Sequence, residues 1–307
     1  MSSRPPHSGL DGAGLMIIDK AAGVTSHDVV ASCRKLLKTR RVGHAGTLDP
    51  MATGVLVIGV ERATKMLGLL SLTTKAYDAT IRLGATTDTD DAEGSVLTRT
   101  DTSDLDHARI HTEVKPLTGE ISQIPARVSA IKVDGQRAHA LAREGAEFEL
   151  KARQVTVSRF DVVDIETVQD GDAVYTDVRV QVECSAGTYV RSLARDLGAE
   201  LGVGGHLTAL RRTRVGPFGL DVARTIAELA DDPTVSLDID AAAQFAFAHR
   251  NITAEEAESI SQGRWLEPIG MAGVYAAIDP EGHTIALLQE KGRRASSVMV
   301  VRPATLR

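Results

Sequence analysis

Hydrophobic residues along this chain follow two spacings, which predict where strands and helices lie. Residues 14–20 (GLMIIDK) and 54–60 (GVLVIGV) are short, mostly apolar runs, as expected of strands buried on both faces. Residues 77–83 and 155–164 also have strand-like composition. In residues 174–184 apolar and polar positions alternate, which predicts a strand with one buried face.

Helices are predicted where apolar residues recur every three or four positions. Thr25 or Ser26 can cap a helix in the pattern that follows. Residues 190–201 predict a second amphipathic helix, and residues 61–70 and 104–115 predict two shorter ones. Strands and helices are interspersed without a regular β–α–β alternation, so we predict an α+β fold.

The C-terminal part of the chain predicts a separate, small β-rich module. Acids and alanines interrupt the earlier pattern near residues 225–245, where we place a domain boundary. After it, Thr253 and Glu256 form a capping box for a short helix. Residues 274–288 predict a hairpin around an Asp-Pro-Glu-Gly turn, and residues 297–302 predict a final strand.

Charge changes the picture of possible partners. The chain has 307 residues, of which 43% are hydrophobic and 3% aromatic, and its net charge is −6. That net charge speaks weakly against nucleic-acid binding, but binding depends on local patches. Residues 34–48 contain five lysines and arginines and no acid, whereas residues 86–106 contain seven acids. The charge is therefore sorted along the chain rather than mixed.

Cysteine usage and hydropathy bear on the compartment. Cys33 and Cys184 form no CxxC pair and no zinc spacing, so we expect two buried free thiols in a reducing compartment. The first ten residues lack a signal-peptide pattern, and no apolar run approaches the length of a membrane helix. We expect a cytoplasmic protein without membrane contact. We also expect a monomer, because no extended apolar stripe is left over, and disorder in the Pro-, Gly- and Ser-rich residues 1–13.

Known cofactor motifs are missing from the sequence. There is no GxGxxG, GxxxxGK[ST], HExxH or GxSxG, so neither a nucleotide cofactor nor a metal is expected. The acidic loop (residues 88–94, DTDDAEG) superficially resembles a calcium loop, but it lacks the spaced ligands and the glutamate at the twelfth position. We interpret it as a solvated turn.

One carboxylate, Asp49, lies in the glycine-rich stretch GHAGTLDPMATG (residues 43–54). Pro50 restricts the backbone of the residue before it, so Asp49 has a narrow conformational range. From the pattern alone it is either an Asp-Pro turn initiator or a reactive group. A reactive carboxylate must be ionised, and an arginine partner lowers an Asp pKa by about 1–3 units. Arg191 is a candidate partner, because arginine in a first helical turn opposes the helix dipole; a surface arginine is the alternative.

Five blocks of sequence resemble the bacterial TruB-type tRNA pseudouridine synthases, in the order typical of that family, from about Gly14 to Gly216. Residues 124–143 are similar to the RNA-clasping insertion of the family, and the C-terminal part has a weaker likeness to an RNA-binding PUA module. The blocks are GLMIIDKAAGVTSHDVV, GHAGTLDPMATGVLVIGVERATK, KAYDATIRLGATTDTDDAEG, CSAGTYVRSLARDLG and LRRTRVG.

The resemblance implies an α+β pseudouridine-synthase fold, with a central mixed, mainly antiparallel sheet, flanking helices and a small C-terminal PUA-like module. Residues 14–235 would form the catalytic domain, with the RNA-clasping insertion at about residues 121–153, and residues 245–307 the PUA-like module. Two positions depart from the family pattern. Ala21 follows Lys20 where a proline is usual, and His139 replaces a tyrosine of the insertion.

The same resemblance implies conversion of uridine to pseudouridine at position 55 in the T arm of tRNA, after base flipping and without metal or organic cofactor. Asp49 matches the catalytic aspartate, Tyr77 the tyrosine that stacks on the target base and handles a proton, and Arg191 the arginine that pairs with the aspartate. His44, Lys20 and Leu210 match residues that line or adjoin the family's substrate cleft. We expect Tyr189, Lys132, Arg137 and Arg211 to bind the substrate as well.

A basic cleft would let an acidic protein hold RNA phosphates. We expect it to be formed by Arg40, Arg41, Lys132, Arg137, Arg211, Arg212 and Arg214. Two other functions remain open. One is a tRNA-folding chaperone whose modification activity is secondary. The other is a carboxylate-dependent hydrolase of nucleosides or glycosides, which usually needs a second acid about 5–10 Å away, and the stretch around Asp49 supplies none.

Overall fold

The computed structural model describes residues 9–128, 132–133, 136–137 and 148–306, with only the backbone given for Lys132, Val133 and Arg137. Residues 1–8 of the segment predicted to be disordered lie outside the described residues. Gly9 and Ala13 are buried, and the Arg62 N–H donates to the Gly9 carbonyl at 3.1 Å.

Eighteen strands lie within the described residues. Each strand predicted from the sequence is present, and the one predicted over residues 155–164 is much longer, Arg153–Asp170. The strands are β1 Gly14–Lys20, β2 Val42–Ala45, β3 Thr53–Val60, β4 Lys75–Leu83, β5 Ala85–Thr87, β6 Val96–Arg99, β7 Gly119–Gln123, β8 Lys132–Val133, β9 Gln136–Arg137, β10 Arg153–Asp170, β11 Ala173–Cys184, β12 Gly205–Val215, β13 Phe218–Gly219, β14 Leu237–Asp238, β15 Ala248–Asn251, β16 Val274–Ile278, β17 Thr284–Lys291 and β18 Arg294–Val300.

Seven α-helices and three 3₁₀ helices lie within the same described ranges. The helix predicted over residues 61–70 is divided, with a 3₁₀ segment followed by one short α-helix. No helix of the described residues is long and apolar enough to cross a membrane. The helices are α1 Ser26–Leu36, α2 Leu67–Ser71, α3 His107–Glu113, α4 Val190–Leu201, α5 Ile226–Asp231, α6 Ile239–Ala246 and α7 Ala254–Ser261, with 3₁₀ segments at Glu61–Met66, Leu220–Val222 and Ala304–Leu306.

The chain divides into two compact units, and both contain separate stretches of sequence. Unit 1 comprises Met1–Asp49, Val55–Ser71 and Gly216–Arg307, and unit 2 comprises Pro50–Gly54 and Leu72–Val215. The chain therefore passes from unit 1 to unit 2 immediately after Asp49.

Unit 1 contains two sheets. In the first, β1 pairs antiparallel with β14, β3 lies next to β1, and β2 pairs antiparallel with β3. Thr25, one of the two predicted caps, caps α1 in a capping box with Asp28. The second sheet has the order β15-β16-β17-β18 and its own buried cluster around Tyr275. The predicted capping box of Thr253 and Glu256 is present at α7.

Unit 2 is built on the strand order β12-β4-β11-β10-β7, in which neighbours are antiparallel. Thr53 and Gly54, at the start of β3, add one parallel pairing to Arg211 and Arg212. Helix α4 lies against β12 and β4. It buries Val190, Leu193, Leu197 and Leu201, the face that the sequence predicted. Burial of such side chains contributes about 1.5–3 kcal/mol each.

Both cysteines are buried free thiols, as predicted. Burial raises the pKa of the Cys33 thiol to about 11 and that of Cys184 to about 11. These thiols are therefore protonated at neutral pH and poor nucleophiles.

We predict that Gly54→Ala destabilises the protein much more than Gly119→Ala. Both glycines have φ near +100° (+100° and +96°), so each substitution costs about 1–2 kcal/mol of backbone strain. At Gly54 the new Cβ would collide with the backbone of Arg212 on the paired strand. At Gly119 no atom lies within 4 Å of the position of the new Cβ. We expect a loss of ~3 kcal/mol or more for Gly54→Ala in urea unfolding. Equal losses for the two variants would contradict this packing.

Lys75 predicts a pH dependence of stability. Burial, and then the charge of Arg212, lower the pKa of the Lys75 ammonium from 10.5 to about 8. Between these two pH values the unfolded chain binds more protons than the folded chain, so stability rises with pH, by at most about 1.4 kcal/mol per pH unit.

The free energy of unfolding of the wild type, relative to Lys75→Met, should therefore increase by about 1–2 kcal/mol between pH 7.5 and pH 9.5. Urea unfolding at the two pH values measures this, with Lys151→Met, which removes an exposed lysine from unit 2, as control. A difference in unfolding free energy that stays constant or decreases with pH would contradict a lowered pKa of Lys75.

Candidate active site

The first turn of α4 holds Arg191 in a buried position. The helix begins after Tyr189, whose side chain makes no capping hydrogen bond. Instead, the Tyr189 N–H donates to Gln123 Oε1 at 2.8 Å, and Gln123 Nε2 donates to the Tyr189 carbonyl at 3.1 Å. Gln123, at the end of β7, thus fixes the start of the helix and with it the position from which the Arg191 side chain extends.

Three groups of unit 2 that are distant from Arg191 in the sequence contact its guanidinium, among the contacts that the structure describes. Nη1 donates to the Thr89 carbonyl and Nη2 to the Val128 carbonyl, each at 2.8 Å. Asp91 Oδ2 lies 3.4 Å from Nη1, and the two side chains are only 5% and 4% exposed. A buried charge is tolerated only when it is paired and hydrogen-bonded, and here both conditions are met. The alternative interpretation of Arg191 as a surface arginine is wrong.

The interpretation of the acidic loop as a solvated turn is wrong for Asp91. Its carboxylate accepts hydrogen bonds from Thr89 Oγ1 at 2.6 Å and from the Glu93 N–H at 3.1 Å. The Leu207 N–H donates to the Asp90 carbonyl at 3.0 Å, which fastens the loop to β12. Asp88 alone among the loop's aspartates is exposed. The acidic loop therefore holds the Arg191 guanidinium in place through Thr89 and Asp91.

Tyr77 and Leu210 lie on the face of the unit 2 sheet that α4 covers. In β4, Tyr77, Ala79 and Leu83 are buried and alternate with less buried residues. Tyr77 is opposite Arg212 and Ala79 is opposite Leu210, so these four side chains share one face. Tyr77 and Leu210 are each 8% exposed. The structure thus brings both predicted residues to the face that carries the helix of Arg191.

Arg211 lies on the opposite face, because neighbouring residues of a strand alternate between faces. It is paired with Asp78 in the ladder, and its Nη1 donates to Thr53 Oγ1 at 3.3 Å. A cavity of about 620 Å³ is lined by Arg211, Asp78, Thr53 and Met51 among others. Met51 follows Asp49 by two residues in the chain.

Asp49, His44 and Lys20 belong to unit 1. Asp49 is half-buried, and the residue before it is held firmly. Ser26 Oγ accepts from the Leu48 N–H at 2.9 Å and donates to the Leu48 carbonyl at 3.0 Å. The α1 start therefore fixes the backbone that presents Asp49, in addition to the restriction imposed by Pro50.

Lys20 and His44, the other two predicted site residues of unit 1, each contact neighbouring groups. Lys20 is almost completely buried, and its ammonium donates to the carbonyls of Ala21 at 2.9 Å and Val24 at 2.7 Å. The His44 ring is edge-on to the ring of His27, with centroids 5.6 Å apart. In this structure Lys20 stabilises the turn after β1.

The expected basic cleft is only partly described. Arg40 and Arg41 belong to unit 1, where they line a cavity of about 640 Å³, and Arg211, Arg212 and Arg214 belong to unit 2. The prediction that Arg212 belongs to this cleft is wrong. Its side chain is 1% exposed and lies beside Tyr77, on the same buried face of the sheet. The side chains of Lys132 and Arg137, and the whole of His139, lie outside the described residues.

One group in the described part of the chain has metal-ligand spacing. Asp279, Glu281 and His283 lie together in the turn between β16 and β17, and Glu281 and His283 are exposed. Asp279 Oδ1 already accepts from the Glu281 and His283 N–H groups, at 3.0 and 2.8 Å. The group is therefore explained as a hydrogen-bonded turn.

Comparison with known proteins identifies the fold first. A chain from an H/ACA ribonucleoprotein bound to a substrate RNA containing 2′-deoxyuridine aligns with a TM-score of 0.71 at 24% identity, covering 99% of this chain and 89% of its own. A chain from a Cbf5–Nop10–Gar1 complex aligns with a TM-score of 0.69 at 26% identity, covering 99% and 89%. The predicted α+β fold, with mixed sheet, flanking helices and a C-terminal β-rich sheet, is confirmed, and it is that of a pseudouridine-synthase scaffold.

The chain belongs to the TruB family of pseudouridylate synthases. The profile of the family's N-terminal domain matches residues 34–190, and two C-terminal TruB profiles match residues 191–238 and 247–302. The chain is 72% identical to a tRNA pseudouridine synthase B of Rhodococcus jostii over 309 residues, covering all of both chains. It is 64% identical to one of Nocardia farcinica, covering 95% of this chain and 94% of the relative.

We predict that Asp91→Ala lowers the free energy of unfolding by about 3–5 kcal/mol, because it removes a buried carboxylate that pairs with the buried Arg191 guanidinium. Asp91→Asn keeps one acceptor for Thr89 and Glu93, so it should cost about 1–3 kcal/mol. Asp88→Asn, in the exposed part of the same loop, should cost less than ~0.5 kcal/mol. Urea unfolding measures all three, and similar losses for Asp88→Asn and Asp91→Ala would contradict the role assigned to Asp91.

Proposed function

We propose that this protein isomerises uridine 55 in the T arm of tRNA to pseudouridine, with Asp49, Tyr77 and Arg191 as the reacting groups. Membership of the TruB family and the identity to tRNA pseudouridine synthase B proteins support pseudouridylation of tRNA as the activity. The structural observation that carries the finer proposal is the buried guanidinium of Arg191 at the start of α4, which pairs with Asp91 and donates to two backbone carbonyls. A cation that is kept buried in a first helical turn, where the helix dipole opposes it, is a candidate functional group.

The reaction needs no redox partner. The bond between N1 of uracil and C1′ of the ribose breaks, the base rotates, and a new bond joins C5 to C1′. The proton on C5 leaves and N1 gains one, so substrate and product are isomers. In our mechanism the Asp49 carboxylate forms a transient bond or ion pair with the detached nucleoside, at C6 or at C1′, and Arg191 orients that carboxylate.

Tyr77 has the properties of a platform for the flipped base. Extracting a base from the stacked T loop costs a few kcal/mol, and stacking on an aromatic ring returns about 1–3 kcal/mol. Tyr77 is fixed by its place in β4. Leu210 lies on the same face of the sheet, opposite Ala79, which is the next residue of β4 on that face. We propose that Tyr77 stacks on the base and relays the C5 proton, while Leu210 shapes the apolar wall of the pocket.

The remaining contacts to RNA follow the same proposal. The backbone phosphates would be held by the basic side chains and the flipped loop by His44. The proposed substrate-binding set is His44, Lys20, Leu210, Tyr189, Lys132, Arg137 and Arg211. We propose residues 14–235 as the catalytic domain and residues 245–307 as a PUA-like RNA-binding module in a cytoplasmic, monomeric enzyme.

We predict that Asp49→Asn loses isomerisation of an unmodified T-arm stem-loop by roughly a thousandfold or more, since a neutral amide is a poor nucleophile and ion-pair partner. Binding of the stem-loop should change by less than about threefold, because the substitution removes an interaction made mainly during the reaction. A quench-and-digest assay for pseudouridine, together with a binding titration, measures both quantities. Asp172→Asn, an exposed acid in the turn after β10, is the control and should react at the wild-type rate.

Full activity of Asp49→Asn would disprove the mechanism. If the variant is inactive but still accelerates refolding of tRNA, the chaperone function stands beside the enzymatic one. Activity of the wild type on free nucleosides would instead favour a hydrolase.

A further inference from the structure

A second arginine, Arg195, follows Arg191 by one helical turn and repeats its pattern of contacts. Arg195 Nη1 lies 3.2 Å from Asp90 Oδ2 of the acidic loop, and Nη2 donates to the Ile124 carbonyl at 2.8 Å. Its Nε donates to Asp196 Oδ1 at 2.9 Å. Each of the two arginines therefore contacts both the acidic loop and the segment formed by residues 124–128.

The spacing of the two arginines makes this arrangement possible. Residues four apart lie on the same face of a helix, so Arg191 and Arg195 extend side by side from α4. Arg191 contacts Thr89, Asp91 and Val128, and Arg195 contacts Asp90 and Ile124. Each segment is thus held at two points, which fixes its direction as well as its position.

A cavity lies at the place where the two segments approach Arg195. It has a volume of about 720 Å³ and is lined by the acidic loop, by residues 124–128 and by Arg195. Hydrogen bonds from the arginines span the distance between the segments. Without Arg195, the loop and the segment would be joined through Arg191 alone among these contacts.

Charge balance also depends on Arg195. Burial raises the pKa of the Asp90 carboxyl, and the nearby charges of Arg195 and then Arg191 oppose that rise. Removing Arg195 would leave Asp90 half-buried beside Asp91 and Asp196, with its principal counter-charge gone. The loop would relax toward solvent, and the Thr89 carbonyl and the Asp91 carboxylate, which hold Arg191, would move with it.

We propose that Arg195 is a positioning residue for the isomerisation: it holds the acidic loop and residues 124–128 in the arrangement that orients the Arg191 guanidinium. The inference rests on the proposed function of Arg191. Arg195 itself touches neither substrate nor Asp49 in this account, and its effect passes through the partners of Arg191.

The test is the single-turnover rate of tRNA isomerisation at saturating protein, measured for the wild type, Arg195→Met and Arg82→Met. Arg82 is the matched control, because it forms a two-point contact with Asp177 in the same unit and has similar exposure, 25% for Arg82 and 15% for Asp177 against 27% for Arg195 and 15% for Asp90. Arg195→Met should lower the rate about tenfold or more, as expected of a misplaced reacting group, with little change in tRNA affinity. Arg82→Met should react at the wild-type rate.

Two further variants separate positioning from folding. Arg195→Lys keeps the charge beside Asp90 but cannot also reach Ile124 in the same way, so it should recover part of the rate. In an Asp91→Asn background, Arg195→Met should cost less than in the wild type, because both changes act on the same guanidinium, whereas Arg82→Met should have the same effect in either background. Thermal unfolding confirms that each variant is folded at the assay temperature.

A wild-type rate for Arg195→Met, an equal loss for Arg82→Met, or a loss of tRNA affinity alone would overturn the inference. If Arg195→Met does not fold, a wild-type rate for Arg195→Lys would overturn it instead. A wild type that forms no pseudouridine in tRNA would contradict the proposed function itself, which is a separate result.

Discussion

Burial of the Arg191 guanidinium is the constraint on which the described site depends. Its position in a first helical turn opposes the helix dipole, and almost none of its side chain is exposed, so the charge is stable only with strong partners. Such partners in unit 2 include the Thr89 carbonyl, the Val128 carbonyl and the Asp91 carboxylate. One side chain thus requires three segments that are far apart in the sequence to meet in unit 2.

Other contacts within unit 2 fix the position of α4, the helix that carries Arg191. Helix α4 is positioned by its apolar face against β12 and β4 and by the pair of hydrogen bonds between Gln123 and Tyr189. The same strands β4 and β12 carry Tyr77 and Leu210 on the helix-covered face. Arg191 and Tyr77, which we propose to orient the reacting carboxylate and to stack on the base, therefore share one scaffold.

Local sequence patterns predicted several of the long elements but missed others, such as β12 and α6, and they could not show long-range pairing. The runs at residues 14–20 and 174–184 became β1 and β11, because hydrophobic periodicity reports burial directly. The role of Asp91 was missed because its partner Arg191 is 100 residues away, and a short acidic stretch looks the same whether it is solvated or buried. The expectation for Arg212 is wrong because the sequence pattern predicts no strand over residues 205–215, so it does not show which arginines of β12 face inward. Resemblance to a family, rather than spacing, singled out Asp49.

The central claim is that this chain converts one specified uridine of tRNA. The most direct test is a site-resolved map of pseudouridine in unmodified tRNA after incubation with the purified, full-length protein. The account predicts a single new pseudouridine, at position 55 in the T arm, formed without added metal or cofactor. Pseudouridine at other positions only, or none at all with a correctly folded protein, would contradict it.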